Sequence, residues 1–203
     1  MKDKVIFNGI CYGKGKEYYG VQRFESELLK ELDRQKLDYD CEVVVPVGSE
    51  IFDSFTNVRV KKINFGRNAR EVKIWNLLFF PLYCKWQHGL SIDLILTYPI
   101  FGCDISAVHD CIMEREAQGA SAISFSRRLY FWRIRRNVDR CKKIVTVSNF
   151  SKDDITNFYG ISDDKIVIIP NAWQHFQRIE ADNSILKRIA VKPGEYYFAL
   201  GSR

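Results

Sequence analysis

No hydrophobic run in this 203-residue chain is long enough to cross a membrane as a helix. The longest, Ile74 to Trp86, falls short of the roughly 20 residues that a bilayer needs and is interrupted by Asn76 and Pro81. It reads instead as a core helix bent or ended at Pro81, because a prolyl nitrogen has no proton to donate and its ring crowds the preceding turn. The six cysteines, Cys11, Cys41, Cys84, Cys103, Cys111 and Cys141, include no C-x-x-C pair, and Met1-Lys2-Asp3-Lys4 does not start a signal peptide. Reduced thiols in a cytosolic protein are therefore expected. Histidine is scarce, with three in the chain, and Cys103, His109 and Cys111 lack a fourth ligand at zinc spacing, so no metal or cofactor site is predicted. Low-complexity stretches and internal repeats of fixed period are also missing, which sets aside disordered tails and solenoids.

What is present is a 46% hydrophobic, 14% aromatic composition that suits one domain with a substantial core. Two Rossmann-type domains would not fit in this length. Read by period, strands fall at Val5 to Phe7, Cys41 to Val45, Val58 to Ile63, Leu94 to Thr97 and Ile105 to His109, with Val58 to Ile63 alternating as an edge strand does. Helices fall at Val21 to Gln35, about Arg70 to Gln87, and Ser124 to Cys141.

The stretch from Lys143 to Ala172 adds a complete unit. Ile144 to Val147 is a short, mainly β-branched strand; Ser151 stands as N-cap of a helix from about Lys152 to Tyr159, with Asp153 and Asp154 facing its positive end. Gly160 supplies a left-handed stop, and Ile166 to Ile169 is a second buried strand ended by Pro170. Two strands joined through a helix are parallel in nearly all cases. The expected fold is α/β, a Rossmann-like, doubly wound, mostly parallel sheet of about seven strands, with ligands at the carboxyl ends of the strands.

That edge selects the loops after Phe7, Tyr98 and Val108. Gly9 to Gly20 joins a strand to a helix, and Gly13, Gly15 and Gly20 would let an anion approach the backbone; equally, Lys14 and Lys16 can be solvated in a plain flexible loop. The spacing is not G-x-G-x-x-G, and a P-loop fails for want of its first glycine and its Ser/Thr. His109-Asp110 ends a strand, where an imidazole can donate to a hydroxyl or phosphate or serve as a structural histidine. Glu114 and Glu116 read as loop carboxylates, either solvated or holding a ligand.

The charge is concentrated in one place. Arg127 to Lys143 holds eight Lys/Arg and one Asp, a net of +7, where the whole chain carries +6. At helical spacing Tyr130, Phe131, Ile134, Val138 and Cys141 form the core side. Leu129 and Trp132 fall instead among Arg128, Arg136 and Arg140, a mixture that suits an anionic lipid surface or a lipid-diphosphate acceptor as well as a solvated face. No nucleic-acid module accompanies the patch, so nucleic acid is not expected as a partner.

The wording Ile-Val-Thr-Val-Ser-Asn-Phe-Ser-Lys-Asp-Asp-Ile, then Tyr-Gly-Ile, then Lys-Ile-Val-Ile-Ile-Pro-Asn-Ala resembles the retaining glycosyltransferases of family 4. The resemblance implies one half of a GT-B architecture: an N-terminal, acceptor-side domain over 1–170, a linker over 171–195 turned at Asn171, and the first strand of a C-terminal domain over 196–203. It implies hexosyl transfer from a nucleotide diphosphate sugar to a sugar or lipid-linked acceptor, without a bound metal, at the inner face of a membrane. His109-Asp110 then matches the family's cleft dyad, whereas Tyr19-Gly20 replaces its usual Gly-Gly pair. The family's Arg-Lys pair and glutamate motif belong to the C-terminal domain, so the 203-residue chain alone is expected to lack transfer activity. A binding module without catalysis and half of a sugar-nucleotide epimerase are the alternatives.

Overall fold

Seven strands, all parallel, form a single sheet in the order β3-β2-β1-β4-β5-β6-β7. They are β1 (Lys4–Asn8), β2 (Asp40–Pro46), β3 (Val58–Ile63), β4 (Leu90–Asp93), β5 (Ile105–Ala107), β6 (Lys143–Thr146) and β7 (Ile166–Ile168). This computed structural model describes residues 3–13, 20–120, 122–180, 182, 184–192 and 194–197. The chain divides into two compact units, Met1–Asn171, which holds the sheet, and Ala172–Arg203.

The order reverses between β1 and β4, so helices cover both faces of a doubly wound, Rossmann-like sheet. Right-handed crossovers put α1 (Gly20–Asp33) on one face. The other face carries α2 (Ala69–Ile74), α3 (Phe80–Trp86), α5 (Phe125–Arg140) and α6 (Asn149–Tyr159). The core follows that division. Phe7, Val43 and Val145 join a cluster with Leu29 of α1, whereas Ile6 and Val44 pack with Trp75, Phe80 and Cys84. Ile144 packs with Ile134, Val138 and Ile155.

Several expectations are corrected. The fourth strand is Leu90–Asp93, and Leu94 to Thr97 is a loop beyond its carboxyl end. Its apolar residues imitate a strand, but Asp93 Oδ2 accepts from Thr97 N at 3.0 Å and Tyr98 N at 3.2 Å and turns the chain out of the sheet. The N-cap of α6 is Ser148, whose Oγ accepts from Ser151 N at 3.1 Å; Ser151 is inside the helix. Gly160 does end α6, at φ 64°. Glu114 and Glu116 lie on an unanticipated helix, α4 (Ile112–Gln118), and Glu114 is buried with its carboxylate accepting from Tyr159 Oη.

Pro81 neither ends nor breaks its helix. Between α2 and α3 the chain widens into a π turn, Trp75–Phe79, in which Phe80 N donates to Trp75 O. The Leu77 carbonyl that Pro81 cannot serve accepts from Ile100 N at 2.9 Å. Trp75 Nε1 donates to Asn8 Oδ1 and Asn8 Nδ2 to Asn76 Oδ1, each at 3.0 Å, which anchors this turn to the end of β1.

In the second unit a 3-10 turn, Gln174–Arg178, precedes a short helix, α7 (Ser184–Arg188). Of the terminal strand expected over Tyr197 to Ser202, everything after Tyr197 lies outside the described residues.

Candidate functional site

The carboxyl ends of β1, β4, β5 and β6 adjoin one another at the switch point, and the loops that leave them form the candidate site. The first loop leaves β1 through Gly9. A Cβ there would stand 2.8 Å from Val43 Cγ2 and 2.9 Å from Val44 O, so only glycine lets the chain cross β2 so closely. Tyr12 N donates back to Gly9 O at 3.1 Å, closing a turn that buries Tyr12 and Gly13. Residues 14–19, Gly15 among them, lie outside the described set. Gly20 opens α1 with open space where a Cβ would stand, so no steric demand keeps that position a glycine.

From α1, Phe24 packs edge-on against the His109 ring with centroids 5.0 Å apart. This contact joins α1 to the segment that leaves β5. His109 is half-buried and its Nε2 has no hydrogen-bond partner among the described residues. Burial holds the imidazole below its ordinary 6.5, against the opposing pull of Asp110, so it is neutral at neutral pH. A neutral ring keeps one donor and one acceptor. Asp110 is exposed, and its Oδ1 accepts from Ile112 N at 3.2 Å, which turns the chain into α4.

Beneath the loop lies an acidic pair that the sequence reading missed. Glu25 and Asp93 are both fully buried. Burial pushes Glu25 well above the usual carboxyl range; Asp93 adds to this, while a bond from Tyr12 opposes it. Asp93 is raised by burial too, against the donors of Thr97 and Tyr98. Glu25 Oε1 and Asp93 Oδ1 have no partner among the described residues. A signal existed: Glu25 shares the buried face of α1 with Leu28, Leu29 and Leu32, and Asp93 interrupts an apolar run. The loop after Asp93 is strained, since Leu96 and Tyr98 take φ of 59° and 47°, positions that side chains with a Cβ rarely adopt.

The basic helix α5 closes this loop from the side. Arg133 donates to the carbonyls of Thr97 and Tyr98, Asn137 Nδ2 to Pro99 O at 2.7 Å, and Arg136 Nε to Ile100 O at 2.7 Å. Arg140 reaches Phe101 O at 3.4 Å. Arg136 and Arg140 therefore hold the loop as well as carrying charge. Trp132 and Leu129 are about half exposed, and the Arg136 guanidinium lies 5.3 Å from the Trp132 ring centre. Arg128 is exposed and makes no ion pair among the described residues.

A cavity of about 990 Å³ lies at the opposite end of the strands, against Lys4, Leu90 and Asp104. Two of its charged groups are already engaged, Lys4 with Glu42 at 3.2 Å and Asp104 with Ser91 and Lys142. The carboxyl-end loops, with unpartnered atoms on His109, Glu25 and Asp93, are the better chemical site. No group of three or more His, Cys, Asp or Glu among the described residues is arranged to hold a metal ion.

Compared with known families, residues 18–173 match the model of Glycosyltransferase Family 4. No curated protein matches the chain.

Proposed function

We propose, on the premise that the chain belongs to glycosyltransferase family 4, that it forms the acceptor side of an enzyme that moves a hexosyl group from a nucleotide diphosphate sugar to an acceptor hydroxyl with retention. In that reaction the bond from the anomeric carbon to the diphosphate breaks and one to the acceptor oxygen forms. The difficulty is the charge that gathers on the departing diphosphate, which needs cations or dipoles placed in advance. The family resemblance assigns that task to a C-terminal domain. What this chain contributes is orientation of the sugar and acceptor.

The observation that carries the reading is His109. It stands just after a central strand, is neutral, and has a ring nitrogen with no partner among the described residues. Such a group can hold a sugar hydroxyl or a phosphate oxygen without serving as the acid–base catalyst. Gly13 and Gly20 are the described glycines of the loop proposed to face it, Gly15 lies outside the described residues, and Asp110 fixes the turn beside His109. Glu114 is less suited to bind an acceptor, because its carboxylate is buried against Tyr159. No helix among the described residues is long and apolar enough to cross a membrane. Contact with an anionic membrane surface through Arg128, Leu129, Trp132 and the flanking Arg136 and Arg140 belongs to the same proposal, because the acceptor can then be lipid-linked.

The test is an NMR titration of the chain with nucleotide diphosphate sugars and with sugar and lipid-linked acceptors. Shifts should gather at Gly13, Gly20, His109 and Asp110. His109→Ala should weaken binding about tenfold, the scale of one lost hydrogen bond to a buried group. Shifts confined to the opposite end of the strands, or binding indifferent to His109→Ala, would overturn the assignment.

A further inference from the structure

The face of the sheet that carries α2, α3 and α5 shows more apolar surface than the basic helix alone explains. On the helix through the π turn and α3, Phe79, Leu82 and Trp86 are exposed at 45%, 46% and 73%, at spacings of three and four residues that put them on one side. On α5, Phe125, Leu129 and Trp132 repeat the pattern at spacings of four and three. The loop between them is pinned to both helices, by Ile100 N to Leu77 O and by Arg136 to Ile100 O, and it exposes Phe101. Two neighbouring helices on one face thus turn large apolar side chains outward, where each would ordinarily be a lone exposed residue.

Among the described residues, the charges on these helices that lack an ion-pair partner are cations. Arg70, Lys73, Lys85 and Arg128 are exposed and pair with no acid among the described residues. The acids of the two helices are taken: Glu71 by Arg67 at 3.6 Å and Asp139 by Arg135 at 3.0 Å. Glu116, on neighbouring α4, is paired with Arg127.

We infer that α3 and α5 together form one membrane-docking face, and that its partner is a bilayer rich in anionic lipid. The inference rests on the membrane contact proposed above for α5 and extends it to a second helix, read from sequence as a core element. A bilayer offers both things that this face asks for: an apolar interior for Phe79, Leu82, Trp86 and Trp132, and anionic headgroups for the cations around them. A second copy of the chain fits poorly, since a two-fold contact would set cations against cations. Nucleic acid would satisfy the cations but leaves Leu82 and Leu129 without a role. The face extends from the α5 side of the carboxyl-end loops, where Arg133 holds Thr97 and Tyr98, to the cavity at the opposite end of the strands, which Leu82, Lys85 and Phe101 line.

The experiment is co-sedimentation of the chain with phosphatidylcholine vesicles, with and without phosphatidylglycerol. The wild type should bind the anionic vesicles and release as salt rises. The triple variant Phe79→Ser, Leu82→Ser, Trp86→Ser alters side chains that are already exposed, and circular dichroism checks its fold. It should lose binding by about tenfold or more, as expected when several large apolar groups no longer insert. Arg128→Ala with Lys85→Ala should lower binding chiefly at low salt. If the triple variant binds as the wild type does while the charge variant fails, the α3 contribution is wrong and the α5 contact stands. If the wild type ignores anionic vesicles, both fall. A lipid-free wild-type dimer that the triple variant abolishes would replace the bilayer with a second copy.

Discussion

Tyr12 has one hydroxyl proton and two acceptors waiting for it, the Gln22 carbonyl at 2.7 Å and Glu25 Oε2 at 3.0 Å. A backbone carbonyl can only accept, and it is the closer. With that proton shared, the bond from Tyr12 opposes only in part the upward push of burial and of Asp93, and Glu25 stays well above the usual carboxyl range. The sign of the pH effect follows. Below the ordinary 4.5 of a glutamate both folded and unfolded chains hold the proton, and Glu25 costs nothing. As pH climbs above that value the unfolded chain releases its proton while the folded chain retains it, so stability falls until the folded group titrates as well. Glu25→Gln should flatten this decline, and denaturant unfolding in mildly acidic and mildly alkaline buffer reads it directly. His109 acts the other way: with its folded value lowered from 6.5, it withdraws stability as pH drops below that point. Loss of stability toward alkaline pH that is equal in Glu25→Gln and wild type would show that Glu25 is ionised in the fold.

Among the elements, the loop from Leu94 to Phe101 depends most on distant partners. Asn137 is fully buried on α5 and donates to both Pro99 O and Arg133 O, at 2.7 and 2.9 Å. Asn137→Ala would leave the Pro99 carbonyl with Gly102 N, at 3.1 Å, as its remaining donor, a loss of about 1 kcal/mol, and should raise hydrogen exchange from Leu96 to Phe101. Gly160→Ala places a Cβ at φ 64° on the cap of α6 and should cost about 1 kcal/mol in thermal unfolding. The contrast explains what the sequence could show. The unit β6-α6-β7 was legible because its signals are local: a β-branched run, a capped helix, a glycine stop. Even there the cap was placed three residues late, since Ser148 and Ser151 are equal as letters and only the bond to Ser151 N separates them. The position of β4 was not legible, because Leu94 to Leu96 satisfy strand periodicity and only pairing with β1 and β5 selects Leu90–Asp93. At the site His109 could be read from its place after a strand. Glu25 and Asp93 each leave a signal, one on the apolar face of α1 and one within an apolar run, but only the fold shows that they lie together.

For the whole molecule, an open sheet of seven parallel strands leaves two edges, and each is guarded differently. At one edge β7 has only three residues, too few to template another chain. At the other, β3 is six residues long and pairs in register with β2 from Cys41–Val58 to Pro46–Ile63, so its free side is a longer template. Its defence is charge. Arg59, Lys61 and Lys62 are exposed, and among the described residues Arg59 pairs with Asp40 at 3.5 Å and Glu42 at 3.9 Å and Lys62 with Asp53 at 2.6 Å, whereas Lys61 has no acidic partner. Lys61 is left as an exposed cation on the strand's open flank, where a like strand from a second molecule would meet it head-on. Arg59→Val with Lys61→Val removes this repulsion and raises strand propensity without touching the buried Val58. The variant should keep its circular dichroism and unfold near the wild-type midpoint, yet scatter light increasingly with concentration. A variant that stays monomeric across the same range would mean that the edge is protected by its shape and that the lysine has another use.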